Sequence, residues 1–214
     1  MPDSVGTIHH ATPNQNCGTS APRSTRLSST LVNPRLMNSC LIIGGGINGL
    51  LPAYLLRMAG LEVRLLDKGA TGRESSWAGA GILSLLPPWG YAPAVDAMAR
   101  RGRALWPEWS ERLLQASGVD PEYLPCGMAV LAPRAREAAM AWCGEHGEAV
   151  AQLPAALSHL GDGDSLWLPD VAQARNPRIM QGLRAAAIQA GVEISEHTAA
   201  NSLLTDGGRV IGVE

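Results

Sequence analysis

Residues 39–49 read Ser39-Cys40-Leu41-Ile42-Ile43-Gly44-Gly45-Gly46-Ile47-Asn48-Gly49, an apolar run that enters a Gly-x-Gly-x-x-Gly turn. A helical pattern comes next, and then Leu61-Glu62-Val63-Arg64-Leu65-Leu66-Asp67. The order is strand, tight turn, helix, second strand, acid. In such a unit Gly44 permits the turn, Gly46 lets the backbone approach a pyrophosphate, and Gly49 lets the helix pack on the strand. The helix N-terminus offers free N–H groups and partial positive charge to phosphates. Asp67 lies 21 residues after Gly46, where an acid can accept hydrogen bonds from an adenosine ribose. A Gly-rich turn without a ligand is the competing reading. The flanking strand, helix and acid favour dinucleotide binding.

Composition sets the class. The 214-residue chain has 17 Lys and Arg against 19 Asp and Glu, a formal charge of -2, so it has no basic field for nucleic acid or an anionic membrane. No apolar stretch is long enough to predict a transmembrane segment. Cys17, Cys40, Cys126 and Cys143 form no Cys-x-x-Cys pair. They read as reduced thiols of a cytoplasmic protein, with no metal site. His9-His10 reads as a solvated pair.

Residues 1–36 differ from the rest of the chain. They are rich in Ser, Thr, Pro and Asn, have Asp3 as their one acid and show no sustained apolar period. Such a segment is expected to be a disordered leader. It has no apolar centre of signal-peptide length, and Arg23, Arg26 and Arg35 make no amphipathic face. Met37 lies just before the first strand and suggests a later start.

The first helix is expected over Ile47 to Met58, with Leu50, Leu51, Tyr54, Leu55 and Met58 at helical spacing, Gly60 as its stop and a mild kink at Pro52. Beyond Asp67, the run Lys68-Gly69-Ala70-Thr71-Gly72-Arg73-Glu74-Ser75-Ser76-Trp77-Ala78-Gly79-Ala80-Gly81-Ile82-Leu83 is dense in small residues. Its sense is close approach of backbone to a flat ligand, with Ser75 and Ser76 adding donors for phosphate. Trp77, Ile82 and Leu83 read as packed.

Three stretches carry a family resemblance: Ile43-Gly44-Gly45-Gly46-Ile47-Asn48-Gly49, Leu65-Leu66-Asp67-Lys68-Gly69, and the run from Gly72 to Ser84. Together they resemble FAD-dependent amine oxidases of the D-amino-acid oxidase superfamily, most of all glycine oxidases of the thiamine-biosynthesis type. Pro87-Pro88-Trp89-Gly90-Tyr91, the stretch from Asp170 to Arg178 and that from Gly191 to Thr198 extend the likeness over residues 38–214. The resemblance implies an α/β fold. A Rossmann-like FAD-binding domain would comprise residues 37–84 and 169–214, with an inserted α+β substrate-side region over 85–168. It implies FAD as cofactor. The pyrophosphate would lie over Gly44, Gly46, Ile47, Asn48 and Gly49, with Asp67 on the ribose and Lys68 beside it. Ser75 and Ser76 would hold phosphate or ribityl oxygens, Ala80, Gly81 and Ile82 would face the isoalloxazine ring, and Ala200 would meet the adenine through its backbone.

The implied reaction is oxidation of glycine or a small primary or secondary amino acid to the imine and 2-oxo acid, with dioxygen as acceptor and hydrogen peroxide as product. A quinone-linked dehydrogenase and a non-catalytic nucleotide-binding module are the alternatives. The chain ends within a strand, so it is expected to be an N-terminal fragment without the family's substrate-gripping arginine and tyrosine. The resemblance assigns no catalytic residue here, and a homo-oligomer is a possible state of the full-length protein.

Between these segments, a helix is expected over Ala92 to Ala116 with Val95, Met98, Leu105, Trp109 and Leu113 on one side, broken by Asp120-Pro121. A strand is expected over Gly127 to Leu131, an amphipathic helix over Arg134 to His146, and a turn at Gly161-Asp162-Gly163-Asp164 with solvated acids. Trp106, Trp109 and Trp142 read as core anchors. Asn176 reads as the cap of a helix with Pro177 in its first turn and Ile179, Met180, Leu183, Ala187 and Ala190 buried. A strand over Val192 to Glu196, a structural, hydrogen-bonded His197 and a hairpin around Asp206-Gly207-Gly208 complete the reading.

Overall fold

A computed structural model describes residues 38–83, 90–131, 136–161 and 163–214. The expected leader, Met37, Ser84, Pro87-Pro88-Trp89, Arg134 and Asp162 lie outside the described residues. The first unit forms as its pattern requires. Strand β1 (Ser39–Ile43) leads through the glycine turn into helix α1 (Ile47–Met58), and β2 (Glu62–Leu66) pairs parallel with β1 from Ser39↔Glu62 to Ile43↔Leu66. Far along the chain, β8 (Glu193–Ser195) adds in parallel to the other side of β2, giving the order β1-β2-β8.

Val63 and Leu65 of β2 face a core shared with Leu50 and Ala53 of α1 and with Ile179, Met180, Leu183, Ala186 and Ala187 of helix α5 (Asn176–Gln189). Each large side chain fully buried here contributes about 1.5–3 kcal/mol. Leu50, Leu51 and Tyr54 of α1 pack on the core as expected. Leu56 packs on the core, whereas Leu55 and Met58 are exposed. Pro52 sits on the solvent side and the helix continues through it.

Helix α3 (Pro93–Ser117) ends at Gly118, which adopts the left-handed conformation at φ 71°. Its expected apolar face is mostly solvent-exposed: Met98 is 71% accessible, and Val95 and Leu105 are also exposed. Leu113 is buried as expected and is joined on the packed face by Trp106 and Ser110, because α3 lies on α5 where Gly182 leaves room for Leu113. A Cβ at Gly182 would come within 3.1 Å of Leu113.

Around α3 the chain adds short pieces. Strands β3 (Ile82–Leu83) and β4 (Leu124–Pro125) flank β7 (Ala172–Gln173), and β5 (Met128–Val130) pairs antiparallel with β6 (Leu166–Leu168). Helix α4 (Arg136–His146) buries Cys143 against Leu168 and Val171 in a second, smaller cluster. Trp106 packs on the first core and Trp142 on the second. Trp109 instead faces the Arg112 guanidinium, 5.9 Å from the ring centroid.

The hairpin forms as expected, with β9 (Leu203–Asp206) antiparallel to β10 (Arg209–Val213). Gly207 and Gly208 both have positive φ, the requirement of a two-residue turn that follows the strand twist. Among the described residues no helix is long and apolar enough to cross a membrane.

Candidate functional site

β1, β2 and β8 run parallel, so the loops leaving their C-terminal ends lie side by side. In open α/β sheets such a crevice is where ligands bind. A groove of about 270 Å³ opens there. One wall is Ile43 to Gly46, the floor is Leu66 to Lys68, and Ala70 with Gly72 to Ser76 and Thr198 to Ala200 close it.

The glycine turn is held by three bonds. Gly44 N–H donates to Leu66 O at 2.8 Å, Gly45 N–H to Asp67 Oδ2 at 2.6 Å, and Ile47 N–H to Ser76 Oγ at 3.0 Å. Asp67 Oδ1 accepts Gly69 N–H at 2.8 Å, so this carboxylate shapes the turn as well as facing the groove. The N–H groups of Gly46 and Asn48 have no partner among the described residues. At the start of a twelve-residue helix those two donors suit an anion. Gly44 has φ 97°, and a Cβ there would meet nothing within 4 Å. A Cβ at Gly46 would meet Ser76 Oγ at 3.1 Å, whereas one at Gly49 would lie 1.8 Å from Gly44 O. Gly49 is therefore small for packing.

The anticipated residues divide accordingly. Gly44, Gly46, Asp67, Lys68, Ser75, Ser76 and Ala200 line the groove. Ile47, Asn48 and Gly49 are not part of its lining: the Ile47 amide bonds the groove residue Ser76, and Gly49 packs against Gly44 O. Ser75 begins a short helix, α2 (Ser75–Ala78), inside the small-residue run. Lys68 pairs with Glu74 at 3.4 Å on the surface.

Ala80, Gly81 and Ile82, read as facing a flavin ring, lie outside this groove. Here the small residues meet protein. A Cβ at Gly79 would stand 2.1 Å from Asn176 Nδ2, and one at Gly81 would stand 1.9 Å from Ala174 O. Trp77 and Leu83 pack on the core, but Ile82 is exposed. Asn176 is not the cap of α5. It is the helix's first residue, Arg175 holds the cap position, and Asn176 Nδ2 donates to Ser76 O at 3.1 Å. His197 is held through its backbone, donating to Gly69 O at 3.1 Å at φ 54°, while its side chain is exposed.

Three contributors escaped the sequence reading. Gly45 carries the bond to Asp67, and Arg73 lines the groove with its guanidinium 4.0 Å from the Trp77 ring centroid. Glu196 ties the walls together. It accepts Arg184 Nε and Nη2 at 3.2 and 3.0 Å and Thr71 N–H at 2.9 Å. Arg184, and then the Thr71 amide, lower the Glu196 carboxyl to about 2.

A lowered folded-state value means stability that is present above about 4.5 and lost as pH falls toward 2. Solvent reaches both side chains, so the contribution is about 1 kcal/mol. Urea midpoints of the wild type and Glu196→Gln should differ at pH 7 and converge as pH falls toward about 2. A gap that stays constant over that descent would rule out this titration. Among the described residues no cluster of His, Cys, Asp and Glu is placed to hold a metal ion.

A parallel βαβ unit, free amides at a helix start and an acid at the end of the second strand define a dinucleotide-binding protein. The chain belongs to the DAO family of FAD-dependent oxidoreductases, which residues 39–214 match. It is 40% identical over 180 residues to the glycine oxidase of Pseudomonas aeruginosa, an alignment covering 80% of this chain and 50% of that protein. The bifunctional protein ThiO/ThiG of Trichormus variabilis is 31% identical over 182 residues, 81% of this chain and 28% of that one. The crystal structure of glycine oxidase from Geobacillus kaustophilus superposes with a TM-score of 0.71 at 26% identity, covering 79% of this chain and 49% of that chain. The chain thus spans about half the length of the glycine oxidases it matches. FAD is the cofactor of this family, and the groove suits its diphosphate: the Gly46 and Asn48 amides have no partner among the described residues, a Cβ at Gly44 would meet nothing within 4 Å, and Ser76 Oγ stands by Gly46 as a further polar group.

Proposed function

We propose that this chain forms the cofactor-holding part of an oxidase of glycine or another small primary or secondary amino acid. Amino acid, dioxygen and water would become the 2-oxo acid, ammonia or amine, and hydrogen peroxide. The likeness to glycine oxidases supports that substrate class, and the likeness to the ThiO/ThiG protein supports a link to thiamine thiazole synthesis. The observation that carries the reading is the Gly46 N–H, without a partner among the described residues, in a groove whose lining also holds Asp67; the Asn48 N–H next along α1 is likewise unpartnered among them.

When bound, FAD supplies the two-electron acceptor for the amine. The chain's own residues bind and orient it. Gly46 and Asn48 donate to the diphosphate, Ser76 holds the Ile47 amide in place, and Asp67 accepts from the ribose while fixing the turn. Ala200 offers backbone to the adenine. Residues 37–84 and 169–214 are proposed as two segments of one FAD-binding domain, supported by their shared β1-β2-β8 sheet, with 85–168 as the substrate-side region.

The test has two arms. The chain purified with excess FAD should hold a flavin spectrum and prefer FAD to NAD. By itself it should release no peroxide from glycine or sarcosine, because the substrate carboxylate's anchor, by resemblance, lies in the half of the relatives it does not span. A chimera carrying residues 38–214 in place of the matching half of the Pseudomonas aeruginosa enzyme should be yellow and release peroxide from glycine. A folded, FAD-loaded chimera that oxidises no small amino acid would overturn the substrate assignment. Preference for NAD would overturn the cofactor assignment.

A further inference from the structure

The groove is bounded by two loops more than a hundred residues apart in sequence. Asp67 to Ser76 follows β2, and Glu196 to Ala200 follows β8. Backbone bonds join them at the floor: Asp67 N–H to Ser195 O at 2.9 Å, Thr198 N–H to Asp67 O at 2.8 Å, and His197 N–H to Gly69 O at 3.1 Å. All three lie at Asp67 to Gly69. Beyond Gly69, toward Gly72 and Arg73, the side-chain tie at Glu196 takes over. One Glu196 oxygen accepts the Thr71 amide at 2.9 Å, and Arg184 of α5 grips both oxygens at 3.2 and 3.0 Å. Thr198 Oγ1 donates to Glu196 O at 3.1 Å, so the same residue also braces the start of Thr198 to Ala200.

The arrangement is directional. Arg184 projects from the middle of α5, which is fixed in the core through Leu183, Ala186 and Ala187. A two-bond guanidinium–carboxylate fork adds geometric definition to its charge. Glu196 is therefore held from the packed helix, and it in turn holds two loop groups, the Thr71 amide and the Thr198 turn. Gly72 comes directly after Thr71, at φ 76° against Met180, so displacing Thr71 displaces the groove wall at Gly72 and Arg73.

We propose that the Arg184–Glu196 pair is a latch, with Glu196 as the positioning residue that sets the spacing of the two walls around the adenosine end of the cofactor. The latch does not touch the cofactor; it acts through Thr71 and Thr198. It rests on FAD occupying this groove, and it goes further in assigning the pair to the adenosine half alone.

The experiment compares the wild-type chain with Glu196→Gln and Glu196→Ala in equilibrium titrations with FAD, ADP and FMN. ADP reports the adenosine half alone, and FMN lacks it. Glu196→Ala removes both side-chain acceptors, those of the Thr71 amide and of Arg184, and keeps the backbone carbonyl that Thr198 meets; FAD and ADP affinities should both fall about tenfold, the loss of one charge-assisted tie. Glu196→Gln keeps an oxygen for the Thr71 amide and gives up the charge, so it should fall between Ala and wild type. FMN affinity should not change, a selectivity that general loosening of the fold would not produce.

Equal weakening of FMN and FAD, or a Glu196→Ala chain with wild-type ADP affinity, would overturn the latch. Should Glu196→Ala fail to fold, wild-type ADP affinity in Glu196→Gln together with wild-type affinity in Arg184→Ala would overturn it as well. A wild-type chain that binds neither FAD nor ADP would overturn the cofactor reading beneath it, and the latch with it.

Discussion

Gly49→Ala should unfold the first βαβ unit and abolish flavin binding together. The added methyl would stand 1.8 Å from Gly44 O and 3.0 Å from Gly44 C, both backbone atoms. Neither partner can retreat cheaply. Gly44 N–H is bonded to Leu66 O across the sheet, Gly45 N–H to Asp67, and Gly49 itself donates to Gly46 O at 3.0 Å. Relief would require lifting α1 from β1, which exposes Leu50 and Ala53, both fully buried. Overpacking against a fixed backbone commonly costs about 1–3 kcal/mol, and the immobility of this site places the expected loss at about 3 kcal/mol or more. Urea denaturation with FAD present and absent is the measurement. An unchanged midpoint would mean that the turn is not closed in this way.

Gly46→Val should behave differently, and the contrast separates fold from ligand. Its first added carbon meets Ser76 Oγ at 3.1 Å, a contact that a small side-chain movement relieves. The chain should therefore stay folded, with far-UV circular dichroism and denaturation close to wild type. The valine methyls would crowd the groove at Gly46, whose N–H has no partner among the described residues. FAD affinity should fall at least about a hundredfold, equivalent to about 2.7 kcal/mol. Asp67→Asn should cost only about tenfold, because the amide oxygen still accepts one of the two backbone N–H groups, those of Gly45 and Gly69, that the two carboxylate oxygens accept separately. Stoichiometric flavin in folded Gly46→Val would move the diphosphate away from this turn.

Much of the nucleotide-binding frame was legible because it is written locally. The bounds of β1 and α1 follow from an apolar run, three glycines and a helical period. The hairpin turn follows from two adjacent glycines at positive φ, and the start of α5 from Pro177 in its first turn. Asp67 could be placed because its spacing from the turn is set by one helix and one strand. The face of α3 was not legible. Val95, Met98, Leu105 and Leu113 sit at helical spacing, yet of these only Leu113 is buried, together with Ser110 and the partly buried Trp106, since the partner surface is α5 with its gap at Gly182. A helical period says that a face exists; what lies opposite decides which face is covered.

The same distinction governs the site. The sequence by itself determined a parallel βαβ unit, its glycine turn and the acid at the end of its second strand, since each depends on residues a few positions apart in standard geometry. Only the tertiary structure decided what closes the groove. The bond from the Thr71 amide to Glu196 joins residues 125 positions apart, and the grip of Arg184 depends on how α5 lies beside β8. It also set protein against Gly79 and Gly81, where a Cβ would stand 2.1 Å from Asn176 Nδ2 and 1.9 Å from Ala174 O. Contacts of that kind have no local pattern: they arise when the chain returns after a long excursion, and which backbone then meets which is set by the packing of the whole sheet and its helices.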